Sequence, residues 1–191
     1  MAIDIGTFKE GAMKSGGFRP TLFSIESATL DRDFSLLCNA SQVPAMTMGV
    51  IEIPYFGRKI KVAGDRTYAE WTTTVFIEED FTVRDKLENW QKSINDPTTN
   101  VRDALFNDYK DQCTVSLYGK NGKVIRTYTL QGCWPTEVGT IELDWNTTDT
   151  LATYQVTWAF DILEPGNQKG TSSSNRFTQN QPGPKPAIQT A

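Results

Sequence analysis

Clustered carboxylates are the side chains of this sequence best able to do chemistry. The run Glu78-Glu79-Asp80 could bind a metal ion or exchange protons, and Asp144 beside Trp145 could act as a general acid against an aromatic wall. Each group also has a structural explanation, which we favour. The acidic run lies just before a predicted helix, whose dipole stabilises negative charge at that end. Asp144 lies on the polar face of an alternating segment.

The chain lacks the residues that most catalytic and metal sites need. It contains no histidine, which excludes Ser-His-Asp and Cys-His devices. It contains neither a Gly-x-x-x-x-Gly-Lys-Ser/Thr loop nor a Gly-x-Gly-x-x-Gly loop. Its cysteines, Cys38, Cys113 and Cys133, are odd in number and have no Cys-x-x-Cys spacing, so we predict buried, reduced thiols. We therefore expect no enzyme activity, no cofactor and no bound metal.

A basic group, formed by Arg58, Lys59, Lys61 and Arg66, could contact nucleic acid. Its members are interleaved with apolar residues, which is typical of the polar face of a strand. Residues 1–163 carry 16 basic and 22 acidic side chains, and this net charge of −6 opposes tight binding to phosphates. We favour contact between the basic group and an acidic neighbouring subunit, and the net charge does not argue against DNA that passes nearby without binding.

Short runs of β-branched and aromatic residues predict strands throughout the first half of the chain. Two apolar runs between Phe18 and Leu37 flank Asp31-Arg32-Asp33 and predict a hairpin, which a loop containing Pro44 and Gly49 follows. The remaining predictions in this half are strands at Val50–Ile53, Arg58–Val62 and Glu70–Glu78, with Gly64-Asp65 as a turn.

One helix is predicted beside these strands. Val83, Leu87, Trp90 and Ile94 recur at the spacing of an amphipathic helix. Thr82 and Asp85 resemble a capping box at its start, and Pro97 prevents its continuation. A weaker helical turn is predicted over Val101–Tyr109.

The second half of the chain again predicts strands. Asn121-Gly122 is a strong hairpin signal between alternating residues at Cys113–Leu117 and a strand at Val124–Leu130. Further alternation predicts strands at Ile141–Trp145 and Tyr154–Ile162, of which the last is the longest in the chain. We therefore expect a mainly β fold, a sandwich or barrel of antiparallel sheets with one flanking helix. Trp71 and Trp134 are expected to be buried.

Both ends of the chain differ from the body in composition. Residues 1–17 are glycine-rich and predict a flexible arm, residues 18–163 form the β domain, and residues 164–191 predict a flexible tail rich in Pro, Gly and Ser. Truncation at Glu164 is expected to leave folding intact. A signal peptide and an apolar stretch of ~20 residues are both absent, so we expect an intracellular origin and no membrane contact.

An ordered set of motifs resembles the tail tube proteins of contractile-tailed bacteriophages of the T-even type. The first half contains Gly17-Phe18-Arg19-Pro20-x-Leu22-Phe23-x-Ile25-Glu26, Cys38-x-Ala40, Pro44, Arg58-Lys59-Ile60-Lys61-Val62-Ala63-Gly64-Asp65-Arg66-Thr67 and Trp71-Thr72. The second half contains Leu130-x-Gly132-x-Trp134-Pro135-Thr136-x-Val138-Gly139, Leu143-Asp144-Trp145 and Tyr154-x-Val156-Thr157. The resemblance covers most of residues 17–163.

The resemblance implies a structural subunit that closes into hexameric rings and stacks into a hollow tube. It implies as partners the tail sheath protein, a baseplate or tube initiator, a tape-measure protein and passing DNA, in a virion made in the host bacterial cytoplasm. Two alternatives are a tube-initiator or baseplate component and a ring protein of a contractile injection system. The candidate subunit contacts are Arg58, Lys59, Lys61, Asp65, Arg66, Trp71, Trp134, Pro135, Asp144 and Trp145.

Overall fold

The computed structural model describes residues 5–12, 14, 16–102, 105 and 108–167. These residues form nine strands: β1 Phe23–Ser27, β2 Cys38–Ser41, β3 Met46–Tyr55, β4 Arg58–Tyr68, β5 Trp71–Phe76, β6 Asp111–Tyr118, β7 Val124–Val138, β8 Thr153–Ala159 and β9 Ile162–Asn167. The helices are α1 Ile5–Thr7, followed by a π-helical turn at Phe8–Ala12, α2 Arg32–Leu37 and α3 Thr82–Ile94. The expected mainly β architecture with antiparallel pairing is confirmed.

Strand β7 joins two antiparallel sheets because it pairs with different strands along its length. Its first half lies between β6 and β9, and its second half pairs with β8, which continues through β5 to β2. The change of partner occurs at Gly132, whose φ of +69° an L side chain rarely adopts. A Cβ there would lie 2.3 Å from Asp161 Oδ2, and Lys110 Nζ donates to the same carboxylate at 2.6 Å. Glycine therefore permits both the bend and the close approach.

An aromatic cluster forms the centre of the core. Trp158 is fully buried, and its ring lies 5.5 Å from that of Trp71, 5.8 Å from that of Phe34 and 5.9 Å from that of Trp90. The three indole N–H groups all donate hydrogen bonds. Trp158 donates to Thr73 Oγ1, Trp71 to Ser41 Oγ, and Trp90 to the carbonyl of Tyr109. Because buried donors cost free energy when unpaired, these bonds select one arrangement of the rings.

Helix α3 buries the predicted apolar stripe and covers the edge of the second half of β7. Gln91 Nε2 donates to the carbonyl of Pro135 at 3.4 Å, and Arg84 Nη1 donates to that of Gly139 at 3.2 Å. The predicted capping box is wrong: the N-cap position is Phe81, and the Asp80 carboxylate accepts from both the hydroxyl and the backbone N–H of Thr82. Asp80 thus accepts from the Thr82 N–H that the Asp85 side chain was expected to bind in the capping box.

Three predictions of local structure in the first half are wrong. Asp31-Arg32-Asp33 begins α2 instead of turning a hairpin, because Phe34 is buried against Trp158, and β1 pairs with β6. The predicted loop around Pro44 and Gly49 is part of β3 from Met46 onward. Gly64-Asp65 is a β-bulge within β4 instead of a turn, because Gly49 and Gly64 allow the two backbones to approach closely.

The second half also departs from expectation. The segment Ile141–Trp145 forms no strand, and the longest strand is β7, with 15 residues, instead of Tyr154–Ile162, which is divided between β8 and β9. Trp71 is buried as expected, but Trp134 is only partly buried. In Val101–Tyr109 the described residues are not helical, and residues 103, 104, 106 and 107 lie outside them.

The predicted domain boundaries lie near the ends of the described structure. Strand β9 continues to Asn167, so Glu164 to Asn167 of the predicted tail pair with β7, whereas residues 168–191 lie outside the described residues. In the predicted arm, residues 5–12 are helical. No helix in the described part of the chain is long and apolar enough to span a bilayer.

Candidate assembly interface

The β3–β4 hairpin is a separate two-stranded sheet with an uncovered apolar face. That face is formed by alternate residues of both strands: Ile51, Ile53, Tyr55, Ile60, Val62 and, at the tip, Arg58. Ile51 is 55% exposed and Tyr55 is 59% exposed. A two-stranded hairpin is marginally stable alone in water, and a contiguous exposed apolar surface is typical of a protein–protein contact. The hairpin is therefore the leading candidate for a contact between molecules.

The hairpin tip holds an aromatic residue in an unfavourable backbone conformation. Phe56 and Gly57 connect the strands with φ values of +42° and +77°, the combination of a type I′ turn. Asn or Gly normally occupies the first of these positions, because a bulky side chain at positive φ is strained. Phe56 is nonetheless 91% exposed, and its ring packs edge-on against that of Tyr55 at 4.8 Å. The Phe56 side chain makes no described contact with the body of the protein that would offset this backbone strain.

The predicted basic group lies along β4 and points to more than one side of the hairpin. Lys59 Nζ lies 2.7 Å from Glu52 Oε2 on the polar face, while Arg58 shares the apolar face with Tyr55. Within the described part of the chain, Arg58, Lys61 and Arg66 form no ion pair. Asp65 lies at the bulge and is exposed. Most of the basic charge is therefore available to another molecule.

A second exposed surface is the loop of residues 139–152, between β7 and β8. Trp145 is 100% exposed, Leu143 87% and Leu151 71%. The loop contains three acidic residues and no basic ones. It borders an open groove of about 1100 Å³. Asp144 Oδ1 accepts from the backbone N–H of Asn146 at 2.9 Å, so Asp144 fixes a turn within the loop.

The hairpin and the loop leave the body at opposite ends of the same strand pair. Trp71 pairs with Trp158 at one end of β5–β8, and Phe76 pairs with Thr153 at the other. The hairpin leads into Trp71, whereas the loop leads into Thr153. Since β5 has six residues, these ends lie about 17 Å apart along the strand.

The other candidate contact residues belong to the body of the fold. Trp71 is fully buried in the core, and Pro135 is buried under α3. Trp134 packs edge-on against Tyr109, with ring centroids 5.8 Å apart. These three residues therefore belong to neither the exposed hairpin nor the exposed loop. A role for them in subunit contacts stays a prediction.

The carboxylates and thiols show local structural roles. Hydrogen bonds from Thr82 lower the pKa of Asp80, while desolvation and the Asp80 charge raise the pKa of Glu78. Burial raises the pKa of Cys38 to about 12, and a hydrogen bond with Cys113, followed by burial, raises the pKa of Cys133. All three cysteines are free and buried, as predicted.

The described residues contain no metal-binding cluster of three or more His, Cys, Asp or Glu.

Sequence comparison connects this geometry to a known family. The family described as "Phage tail tube protein" matches residues 12–162. The chain belongs to this family. It is 35% identical over 155 residues to the tail tube protein gp19 of Enterobacteria phage T4, covering 80% of this chain and 95% of that protein. The tail tube protein of Serratia phage KSP90 is 30% identical over 154 residues, covering 75% and 87% respectively.

A solved structure has the same fold as this tail tube protein. A chain in the sheath–tube complex of an extracellular contractile injection system aligns with a TM-score of 0.62, covering 87% of this chain and 99% of that one. The sequences are 17% identical, so this likeness supports the fold alone. The predicted family and the mainly β tail tube fold are both confirmed.

Sequence reasoning missed the most exposed part of the tail tube hairpin. Phe56 was not among the predicted contacts, nor was the apolar face beneath it. One available signal was the Phe56-Gly57 dipeptide between two alternating apolar runs, which is the spacing of a two-residue hairpin turn.

Proposed function

We propose that copies of this chain close into rings of six and that the rings stack into a hollow tail tube through which the phage genome leaves. The protein is structural, is made in the host bacterial cytoplasm and performs no catalysis. It acts within the virion tail, inside a contractile sheath.

One observation carries the proposal: the apolar face of the β3–β4 hairpin is exposed along its length. Burying such surface against another protein contributes about 25 cal/mol per Å². Within the described residues, the body leaves this face uncovered. A second protein surface must therefore cover it in the working assembly, and repeated copies of one chain supply such a surface at every position.

Ring closure has its own support in the open sheet edges. In the described sheets, β1, β9 and β2 each pair on one side alone, whereas α3 covers the free edge of β7. Exposed edges invite pairing with other chains, and closing a ring of identical subunits removes them. Lateral contacts between sheets are therefore consistent with a ring.

The proposed partners follow from a tube inside a contractile tail. They are the sheath protein outside, a tube initiator in the baseplate, the tape-measure protein and the passing DNA. The net charge of −6 over residues 1–163 repels phosphates, so DNA would slide without specific binding. A baseplate component and a ring protein of a contractile injection system are the alternatives that the same fold allows.

Negative-stain electron microscopy of the purified protein, with and without tail baseplates, tests the proposal. We expect long tubes of uniform diameter with six-fold symmetry in end views. Monomers that never polymerise on baseplates would contradict it. Isolated single rings that do not stack would favour the injection-system alternative.

A further inference from the structure

We infer that the chain beyond β9 folds back onto its own subunit, with Phe177 in a groove between residues 16–22 and the turn that joins β6 to β7. The inference goes beyond the proposed tube, because it concerns residues 168–191, which lie outside the part of the chain that the family matches. The occupant is a segment of the same chain. The point at which that segment begins, its composition and its length support this choice.

The groove is apolar and has a volume of about 500 Å³. Phe18 and Leu22 line it from the first segment, and Tyr118 and Ile125 line it from β6 and β7. Phe18 is 51% exposed and Ile125 is 54% exposed. The backbone N–H of Tyr118 donates to the carbonyl of Leu22 at 2.9 Å, which joins the two segments. The groove is therefore formed before any occupant binds, and burial of its apolar side chains would be favourable.

Strand β9 ends beside this groove. Its last residue, Asn167, pairs with Arg126, and the pairing is antiparallel, so the next residue along β9 would lie opposite Ile125. Within the described residues, no strand continues the β9 side of β7 beyond Arg126. The chain therefore leaves the body of the protein at the groove and runs toward it.

The sequence beyond β9 contains one aromatic side chain. Its large apolar residues are Phe177 and Ile188. Arg19 and Lys120 also line the groove and form no ion pair within the described residues, and a cation near the face of an aromatic ring is attracted to it. Ile188 follows three prolines between residues 182 and 186, which favour an extended chain. Phe177 is therefore the better fit to this groove.

The connection from Asn167 to Phe177 is long enough to reach the groove and short enough to favour the same subunit. Phe177 follows Asn167 by ten residues, so a fully extended connection spans at most about 33–36 Å. Residues 170–174 read Gly-Thr-Ser-Ser-Ser, and a flexible connection of this length has a root-mean-square span of about 16–19 Å. Because the groove begins next to Asn167, the tether holds Phe177 at a local concentration on the order of millimolar. A free neighbouring subunit offers its groove at a lower concentration.

Photo-crosslinking from residue 177 tests the inference in the full-length chain. Phe177→p-benzoylphenylalanine keeps an aromatic ring at the inferred anchor, and Ile188→p-benzoylphenylalanine is the matched control at the other large apolar residue. Unlabelled and isotope-labelled copies are mixed before assembly and irradiated, and mass spectrometry of the linked peptides identifies both the residue reached and the copy to which it belongs. Hydrogen exchange of wild type, Phe177→Ala and Ile188→Ala measures the cover of the groove without a crosslinker.

We expect residue 177 to link to residues 18–22 or 118–125 of its own copy, and residue 188 to give no such link. In Phe177→Ala the amides of these two segments should exchange at least about threefold faster than in wild type, because the groove opens more often when it is uncovered. Exchange in Ile188→Ala should match wild type, and exchange in β8 should change in neither variant.

Two results would overturn the inference. Links from residue 177 to other parts of the body, or unchanged exchange in Phe177→Ala, would show that the groove does not hold Phe177. Links that join labelled to unlabelled copies would show that the groove takes the tail of a neighbouring subunit instead. Either result would leave the proposed tube standing, because microscopy of the wild-type protein tests it separately.

Discussion

At the residue scale, the most informative side chain is one that the protein holds in an unfavourable conformation. Phe56 has a φ of +42° and is almost fully exposed, and its described ring contact is with the neighbouring Tyr55, so no described contact with the body of the protein offsets the strain. Strained residues cluster at functional sites, and we expect the function of a strained residue at an exposed hairpin tip to be contact with another molecule.

Replacing Phe56 separates folding from assembly. Asn adopts positive φ more easily than Phe, so Phe56→Asn should leave the melting temperature unchanged or raise it by about 2–4 °C, the shift expected for ~1 kcal/mol in a chain of this size. Tube formation should fall, because the aromatic ring is lost from the contact. A lower melting temperature would instead assign Phe56 to the stability of the body.

Gly132 allows a second prediction at this scale. Gly132→Ala introduces both a positive-φ strain and a Cβ placed 2.3 Å from Asp161 Oδ2, and Lys110 restrains that carboxylate. We expect a loss of about 2–4 kcal/mol in the free energy of unfolding, measured by urea denaturation. Gly57→Ala is the matched control, since Gly57 has a φ of +77° and no atom within 4 Å of its Cβ position. Equal losses in both variants would show that the contact with Asp161 is unimportant.

At the element scale, β9 decides where the folded body ends. Leu163 is 2% exposed, and Glu164 to Asn167 pair with β7 from Thr129 to Arg126. This pairing argues against the expectation that truncation at Glu164 leaves folding intact.

Two truncated chains test the role of β9. A chain that ends at Leu163 should lose several degrees of melting temperature, because four of the six residues of β9 and their hydrogen bonds are removed. A chain that ends at Asn167 keeps the strand whole and should unfold near the wild-type temperature, measured by differential scanning calorimetry. Similar melting temperatures for both chains would mean that residues 164–167 of β9 contribute little to stability.

The sequence predicts a helix or strand well when the apolar face of that element packs against the core of the same chain. The stripe of Val83, Leu87, Trp90 and Ile94 produced a correct helix, and the alternation of Tyr154, Val156 and Trp158 produced a correct strand, because α3 and β8 face the core of the same molecule. Asn121-Gly122 produced a correct hairpin because positive φ at Gly122 is a local requirement.

The failures have a physical pattern of their own. Ile141, Leu143 and Trp145 alternate as a buried strand would, yet Trp145 is fully exposed and the segment is irregular. An alternating pattern indicates that apolar side chains favour burial. It does not indicate whether they are buried within their own chain or against another molecule. The predicted turn at Gly64-Asp65 failed for another reason, since the same glycine serves a turn or a bulge and only the partner strand distinguishes them.

At the scale of the whole molecule, the arrangement of the two surfaces gives the subunit a direction. The hairpin leaves one end of β5–β8 and the loop leaves the other, so the two ends of the subunit differ, and the proposed tube would have two different ends.

A subunit without a hairpin should therefore end a growing tube. Replacing residues 47–67 with Asn-Gly would join Met46 to Tyr68, which already pair, and would keep the packing of Tyr68 against Phe160. Such a chain offers its loop but no hairpin, so a small molar fraction mixed with wild type should shorten the tubes seen by microscopy. Tubes of undiminished length, with the shortened chain incorporated, would show that stacking does not need the hairpin.

The bend of β7 at Gly132 has a mechanical consequence. One covalent backbone runs through both sheets, so a load applied to one sheet reaches the other through peptide bonds as well as through side-chain packing. Sliding the sheets apart would require the strand itself to stretch or to unpair from three neighbours. Each subunit is thereby stiffened against shear, a property that would help the proposed tube to keep its bore under load.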